Sequence, residues 1–251
     1  MAEAASPLKV AIVTPYFRED EAVLHQCHAS VAAQTHPATH IMVADGNPSP
    51  AADSWPVRHI RLPIAHGDNG NTPRAIGSLA AVGEGFDAIA YLDADNWFQP
   101  RHIEAMVALA QRTGAAVCSA NRTIHRLDGT VLYWDLESNG RTLVDTSCYF
   151  LTRRAFRLVA LWGLMPKQLS PYCDRVFLTA VNASGLPRAH SRDATVAFRS
   201  RYADHYAYCG EIPPPGAITS ADYHRAWQEW NALPAEVRES WNRYFTSGGW
   251  A

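Results

Sequence analysis

The sequence predicts an α/β fold, a mostly parallel Rossmann-like sheet flanked by helices. Two observations predict it. Apolar, β-branched runs alternate with segments of helical periodicity through the first half of the chain, an order typical of a parallel sheet covered by helices. These runs also end in clusters of polar or turn-forming residues, which is where the strands of such sheets stop.

The first half of the chain supplies four predicted strands and three predicted helices. The opening run KVAIVTPY is apolar without alternation and is stopped by proline, as expected of a strand buried on both faces. A helix is predicted to begin with Thr72 as its N-cap and Pro73 in its first turn, and a later one to end at Gly114. The predicted helices lie within 19–34, 72–85 and 100–114, and the further strands within 40–50, 57–63 and 87–95.

The second half of the chain changes character. The segment 122–135 predicts a hairpin that turns at Asp128 and Gly129. The remaining predictions are a strand and a helix in 146–159, a helix ending at Gly185, a strand in 194–202, and a Trp-rich helical tail in 221–245 broken at Pro234. We therefore predict one domain over residues 1–219 and a C-terminal helical appendage over residues 220–251 that packs on it.

The composition argues against several classes of protein. Of 251 residues, 47% are hydrophobic and 18% are charged, which is enough material for a core. A formal net charge of −2 lacks the basic excess that non-specific nucleic-acid binding needs. The 5 cysteines contain no C-x-x-C pair, the start lacks the features of a signal peptide, and no apolar run could span a bilayer. We expect a cytoplasmic protein with no transmembrane segment and no nucleic-acid partner.

Three polar clusters follow predicted strands, at Thr14 to Glu19, Asp45 to Asn47 and Asp93 to Asn96. The carboxyl ends of parallel strands meet at one edge of a sheet, and ligands bind in the crevice outside that edge. The three clusters therefore predict one ligand site at this edge.

The third cluster contains two carboxylates, Asp93 and Asp95, one residue apart at the end of an apolar run. Two such carboxylates repel each other unless a cation lies between or beside them, and oxygen ligands suit Mg²⁺ and Mn²⁺. Mg²⁺ often uses one or two carboxylates together with substrate phosphates. The alternative is that Asp95 or Asn96 caps the helix that follows near Pro100.

With these motifs in order, the sequence resembles the family 2 glycosyltransferases of the GT-A fold over roughly residues 8–200. The resemblance departs from the family pattern at Phe17, Ala44 and Cys173, and the Q-x-x-R-W motif of processive synthases is absent. The segments that carry it are VAIVTPYFRE, IMVADGNPSP, GNTPRAIGSLAAVGEGFDAIAYLDAD, TSCYFLTRRAFRLV and SPYCDRVFLTAV.

The resemblance implies a nucleotide-sugar site built on the first strands. Thr14, Pro15 and Phe17 lie where the family binds base and ribose; Phe17 would stack there or would instead belong to the core. Glu19 would accept a ribose hydroxyl or cap the following helix. Asp45 would accept the imino hydrogen of uracil or form a turn with Gly46.

The resemblance also implies roles for the residues at and before the acidic doublet. Arg74 would contact base or phosphate, with a surface salt bridge as the alternative. Asp93 would contact ribose and sugar hydroxyls. Asp95 would ligate Mn²⁺ or Mg²⁺, and His205, or less strongly His190, would add a ligand unless these histidines are structural.

Asp174 is the implied general base, with helix capping as the alternative. A single base suits an inverting transfer, since double displacement needs a nucleophile on the other face of the sugar. The resemblance thus implies a metal-dependent inverting glycosyltransferase that uses a nucleotide-sugar donor, UDP-sugar before GDP-sugar, and a saccharide or other hydroxyl-bearing acceptor.

Two other functions stay open, a nucleotidyltransferase and a catalytically silent binding module. A nucleotidyltransferase is disfavoured because no early Gly-rich phosphate loop is present, and a dehydrogenase because no G-x-G-x-x-G follows the first strand. A catalytically silent nucleotide- or carbohydrate-binding module would keep the pocket without the chemistry.

Overall fold

The computed structural model describes residues 7–247. Its strands are β1 (Val10–Tyr16), β2 (Ala38–Ala44), β3 (Arg58–Arg61), β4 (Ala88–Tyr91), β5 (Trp97–Phe98), β6 (Val117–His125), β7 (Val131–Trp134), β8 (Tyr149–Thr152) and β9 (Arg188–Arg199). Its α-helices are α1 (Glu21–Ala32), α2 (Asn71–Gly83), α3 (His102–Thr113), α4 (Leu161–Leu164), α5 (Cys173–Ala183), α6 (Ala203–Tyr208), α7 (Ser220–Asn231) and α8 (Ala235–Thr246). Single 3₁₀ segments occupy Pro50–Ser54, Thr146–Cys148, Arg153–Leu158 and Lys167–Tyr172.

The strands form one sheet in the order β3-β2-β1-β4-β8-β6-β9-β5, with β7 paired to β6. The strands β3, β2, β1 and β4 are mutually parallel, as predicted, because helical crossovers connect strands of this kind. Beyond β4 the sheet is mixed: β8 runs antiparallel to β4 and to β6, whereas β6 and β9 are parallel. The α/β class is confirmed.

The centre of the sheet is buried on both faces, which explains the uninterrupted apolar runs. All seven residues of β1 and all four of β4 are buried. Helix α2 lies close over β1 and β2 at Gly77, where an added Cβ would stand 2.6 Å from Cγ1 of Val13 and 2.9 Å from Cγ2 of Val43. Only glycine allows this approach without displacing the strands.

One predicted helix start is wrong. Helix α2 has Gly70 as its N-cap, and Thr72 is instead held by Asp68, whose Oδ2 accepts from the Thr72 N–H at 2.9 Å. Helix α3 begins only at His102, because the short strand β5 follows the acidic cluster and pairs with β9. The doublet therefore does not cap a helix.

The second half follows the predicted order with different lengths. The hairpin of β6 and β7 is confirmed, with Gly129 at φ 87° in its turn. Strand β9 is longer than predicted because its first half pairs with the start of β6. The helix predicted after β8 is a 3₁₀ segment followed by the four-residue α4.

The tail forms two helices separated at Pro234, which is the N-cap of α8. Thr219 and Asp222 form a capping box at the start of α7. Phe245 of α8 is buried in the main core cluster, with Trp241 and Tyr244 packed against it. The last residues of the predicted appendage, 248–251, lie outside the described part of the chain. None of the described helices is long and apolar enough to cross a membrane.

Candidate active site

The acidic cluster forms a tight turn directly after β4. The Asn96 N–H donates to the Asp93 carbonyl at 3.0 Å. Ser147 fixes this turn from the second half of the chain: its Oγ accepts from the Asp93 N–H at 3.1 Å and from Nδ2 of Asn96 at 3.0 Å. Both carboxylates consequently stand at the sheet edge where β1, β2 and β4 end.

Arg74 is brought to the doublet from the first turn of α2. Its Nη2 donates to Oδ1 of Asp93 at 2.7 Å and its Nη1 to Oδ1 of Asn71 at 3.0 Å, while the guanidinium lies 4.8 Å from the ring centroid of Trp162. Burial acts to lower the pKa of Arg74, but the Asp93 carboxylate outweighs it and the pKa is raised. The surface salt bridge considered from sequence is wrong, since Arg74 is 1% exposed.

Asp95 lies in a concentration of negative charge. Burial, Asp93 and Glu19 raise the pKa of its carboxyl to about 7. A bound cation would relieve this repulsion, and the carboxylate oxygens present are the donors that Mg²⁺ and Mn²⁺ prefer. The residues therefore fit a divalent ion held by few protein ligands and completed by a substrate diphosphate.

The residues at the end of β1 divide between the core and the site. Thr14 points into the core, where Oγ1 lies 2.9 Å from Nε2 of His40. Pro15 is buried against Gly70, whose φ is +76° and where a Cβ would come within 2.9 Å of the proline ring. Thr14 therefore has only its backbone atoms available for a hydrogen bond to a ligand.

The turn after β1 holds the other two predicted donor-site residues. Phe17 is half-buried outside the core clusters, with the Arg18 guanidinium 4.7 Å from its ring centroid. Oε2 of Glu19 accepts from the Phe17 N–H at 2.7 Å. The alternatives considered from sequence are wrong: Phe17 is not a core residue, and the N-cap of α1 is Asp20.

Asp45 at the end of β2 anchors the loop that leads to α2. Its Oδ1 accepts from the His66 N–H at 2.9 Å and lies 2.8 Å from His66 Nδ1, and its Oδ2 accepts from the Gly67 N–H at 3.1 Å. Burial acts to raise the pKa of Asp45, but these hydrogen bonds dominate and the pKa is lowered. The loop that leads through Gly70 to α2, the helix of Arg74, is thereby tied to β2.

Asp174 lies in the first turn of α5, half-buried, and faces the same site. Burial raises the pKa of its carboxyl, and Asp93 adds to the rise, while the Arg175 N–H and Arg122 oppose it. Its Oδ1 accepts from the Arg175 N–H at 2.7 Å, and the helix N-cap is Tyr172. The capping alternative is therefore wrong, and the carboxyl stays available as a proton acceptor.

The two histidines proposed as metal ligands are engaged elsewhere. Nδ1 of His205 lies 2.7 Å from Ser200 Oγ, and burial lowers its pKa to about 4. Nδ1 of His190 lies 2.9 Å from Ser119 Oγ on β6. Among residues 7–247, no three His, Cys, Asp or Glu side chains converge on a point that a metal ion could occupy. The structure does not bring either histidine into a metal cluster with Asp95.

A buried network that supports the acidic turn is not predictable from the motifs. Arg122 on β6 donates from Nε to Asp135 at 2.6 Å and from Nη1 to Asp145 at 2.5 Å. Oδ1 of Asp145 accepts from the Ser147 N–H at 2.9 Å, so the network ends at the serine that holds the turn. The only signal in the sequence is the spacing of Asp145 and Ser147, typical of a side chain that bonds the backbone two residues on.

Residues 11–163 match the family model described as Glycosyl transferase family 2. The chain belongs to this family. The curated succinoglycan biosynthesis protein ExoW of Rhizobium meliloti (strain 1021) is similar to it, 25% identical over 74% of this chain and 72% of the relative. The predicted resemblance is confirmed, and the protein is a glycosyltransferase.

Solved structures of S. aureus TarS are similar to this family 2 glycosyltransferase in fold. TarS 1–349 has a TM-score of 0.60 at 13% identity, covering 80% of this chain and 63% of that one. TarS 1–349 in complex with UDP-GlcNAc has a TM-score of 0.57 at 12% identity, covering 95% and 71%. Against the longer TarS structure the chain spans 38% of the neighbour's length. The predicted GT-A fold is confirmed.

Proposed function

We propose that this glycosyltransferase is metal-dependent and inverting, with a UDP-sugar as its preferred donor and a GDP-sugar as the second choice. The observation that carries the proposal is the grouping of Asp93, Asp95, Arg74 and Asp174 at one sheet edge. Burial and the neighbouring carboxylates raise the pKa of Asp95 to about 7, as expected where a cation belongs to the working site.

The donor would lie across the ends of β1, β2 and β4. Phe17 offers a half-exposed ring for the base. The buried Arg74 holds Asp93 in place, so that the Asp93 carboxylate would accept hydrogen bonds from hydroxyls of ribose and sugar. Asp45 already accepts three hydrogen bonds from the loop, so a uracil contact would use its remaining lone pairs. The UDP and UDP-GlcNAc complexes of TarS support a UDP-sugar.

Asp95 would hold Mn²⁺ or Mg²⁺, with His205 or His190 reaching it only after rearrangement. When bound, the ion supplies positive charge against the diphosphate of the departing nucleotide. All other tasks fall to the chain itself, which binds the donor, orients the sugar and removes a proton from the acceptor.

Asp174 would act as the general base. The acceptor hydroxyl oxygen forms a bond to the anomeric carbon while the bond from that carbon to the diphosphate oxygen breaks, and the hydroxyl proton passes to the Asp174 carboxylate. The raised pKa of Asp174 suits this role because proton acceptance is efficient when the base titrates nearer to working pH. A saccharide acceptor is supported by the relation to a succinoglycan biosynthesis protein.

The test combines calorimetry and turnover. The wild type should bind UDP in a Mn²⁺-dependent manner and Asp95→Asn should not, whereas Asp174→Asn should bind UDP normally and lose donor turnover. Undiminished UDP binding by Asp95→Asn would refute the metal assignment. Full turnover by Asp174→Asn would remove it as base, and binding with no turnover in the wild type would favour the silent binding module. Release of pyrophosphate from a nucleoside triphosphate and a sugar phosphate would favour the nucleotidyltransferase.

A further inference from the structure

A cleft opens on the part of the sheet formed by β8, β6 and β9, which lies beyond β4 and away from β1. It has a volume of about 920 Å³ and lies between the starts of β6 and β9, helix α5 and the loop 136–144. Tyr149 and Leu178 line it; Tyr149 begins β8, and Leu178 follows Asp174 by one turn of α5. The volume is that of pockets that bind small ligands.

The cleft carries uncompensated positive charge. Arg141, Arg188 and Arg192 all line it and are exposed, and none forms a salt bridge with a carboxylate of residues 7–247. Arg188 instead donates to the side-chain oxygen of Asn182. Asp193, next to Arg192 in the chain, accepts from the Ser191 hydroxyl.

The charge comes from the arginines and not from His190, which also lines the cleft. Burial and the nearby Arg192 lower the pKa of His190, which disfavours the charged form of the imidazole. Arginine suits an anionic ligand because its planar guanidinium meets a carboxylate or phosphate with two parallel hydrogen bonds.

The wall of the cleft also contains buried polar atoms without partners. Tyr149 is 1% exposed, and its hydroxyl has no hydrogen-bond partner among the described residues. Oδ1 of Asn121 is likewise unpartnered there, although its Nδ2 donates to the Arg192 carbonyl at 3.1 Å. Native proteins rarely leave such atoms unsatisfied. Sugar hydroxyls are suited to both atoms, since a hydroxyl can accept from Tyr149 and a hydroxyl can donate to Oδ1 of Asn121.

The cleft borders the helix that carries Asp174: Leu178 lines it, and Asp174 lies four residues earlier on the same face of α5. Burial raises the pKa of the Tyr149 hydroxyl, and the charge of Asp174 adds to the rise. A chain that occupied the cleft would therefore reach Asp174 at one end.

We propose that this cleft binds an acidic stretch of the saccharide acceptor, with a carboxylate or phosphate group on Arg141, Arg188 and Arg192 and sugar hydroxyls on Tyr149 and Asn121. The inference rests on the proposed function, because it makes the acceptor of that transfer an anionic saccharide. It assigns to the cleft the task of delivering a hydroxyl of that saccharide to Asp174.

The test is calorimetry at low and at physiological salt with three probes: trigalacturonate as the carboxylate, glucose 6-phosphate as the phosphate, and maltotriose as the neutral saccharide. Wild type should bind at least one acidic probe about ten-fold more tightly than maltotriose. Arg188→Gln/Arg192→Gln should lose that preference. The matched control is Arg58→Gln/Arg61→Gln, which removes the same charge from β3 at the opposite end of the sheet. This control should keep the preference for the acidic probe. Whichever acidic probe is preferred identifies the anionic group.

Two further measurements separate the possible failures. Mn²⁺-dependent UDP binding should be unchanged in Arg188→Gln/Arg192→Gln. If the wild type itself does not bind UDP, the proposed function is refuted, whereas the binding of acidic probes in the cleft is judged separately. Tyr149→Phe should weaken the binding of all three probes without lowering the melting temperature, because its hydroxyl has no hydrogen-bond partner among residues 7–247. If the double variant does not fold, Arg141→Gln, on the exposed loop, takes its place. Equal binding of acidic and neutral probes, or an equal loss in the β3 control, would overturn the proposal.

Discussion

Nη2 of Arg74 donates to Oδ1 of Asp93 at 2.7 Å, in an ion pair whose guanidinium side chain is 2% exposed and whose carboxylate side chain is 29% exposed. The buried arginine is thus used to pair with Asp93 inside the fold, whereas the aspartate is still partly exposed at the ligand site. Because α2 carries Arg74 and the loop before α2 is tied to Asp45, the ends of β2 and β4 are held by the same loop and helix.

Arg74→Ala should lower the free energy of unfolding by about 2–4 kcal/mol. The loss of one partner from a buried pair costs roughly 3–5 kcal/mol, and the partial hydration of Asp93 reduces it. Urea denaturation followed by circular dichroism measures the change. Arg58→Ala is the control, since its pair with Glu84 has side chains 53% and 38% exposed and should contribute less than about 1 kcal/mol. Equal effects in the two variants would contradict the prediction.

Ser147→Ala should destabilise the protein by about 1–3 kcal/mol and loosen the acidic turn. The substitution leaves the Asp93 N–H and the Asn96 amide without their acceptor, and an unsatisfied buried donor costs its full desolvation. Urea denaturation and Mn²⁺-dependent UDP binding should both be weakened.

Ser170→Ala is the matched control for Ser147→Ala. Ser170 is also buried, at 3% exposure, but its hydroxyl has no partner among the described residues. Its removal should leave stability unchanged or raise it. A Ser147→Ala variant as stable as Ser170→Ala would show that the turn does not depend on the serine.

The sheet, the order of its elements and the position of Asp93 and Asp95 after a central strand could be predicted because each depends on local patterns at strand ends. It could not be predicted that the Thr14 side chain points into the core. Strand β1 is buried on both faces, so its sequence lacks the alternation that tells one face from the other.

The support of the acidic turn could not be predicted for a different reason. Ser147 is 54 residues from Asp93 along the chain, and Asp145 is 23 residues from Arg122. Such contacts depend on how β6 and β8 pack, and no periodicity in the sequence records them. The cleft beside α5 is hidden similarly, since its arginines come from two separate segments, the loop 136–144 and strand β9.

Gly77→Ala should destabilise the protein by about 1–3 kcal/mol, although alanine is the better helix former. The new Cβ would stand 2.6 Å from Cγ1 of Val13, and overpacking a close helix–sheet contact costs this much. Gly83→Ala is the control in the same helix, where nothing lies within 4 Å; it should stabilise by about 0.5–1 kcal/mol. Opposite signs in thermal melts are expected, and a stabilised Gly77→Ala would show that α2 does not rest on β1 at this point.

His102 should make the protein less stable as the pH falls. The residue is fully buried, Nδ1 lies 2.7 Å from Thr195 Oγ1, and burial lowers its pKa to about 3. Between that value and about 6.5, the unfolded chain binds the proton and the folded chain does not, so stability rises with pH through this window and is fully present above it. From pH 7 to pH 5 this single group should lower the free energy of unfolding by about 2 kcal/mol.

Urea denaturation at both pH values should show that His102→Gln loses this part of the pH dependence, while His224→Gln, at an exposed position of α7, keeps it. An unchanged dependence in His102→Gln would mean that the imidazole is protonated in the folded protein.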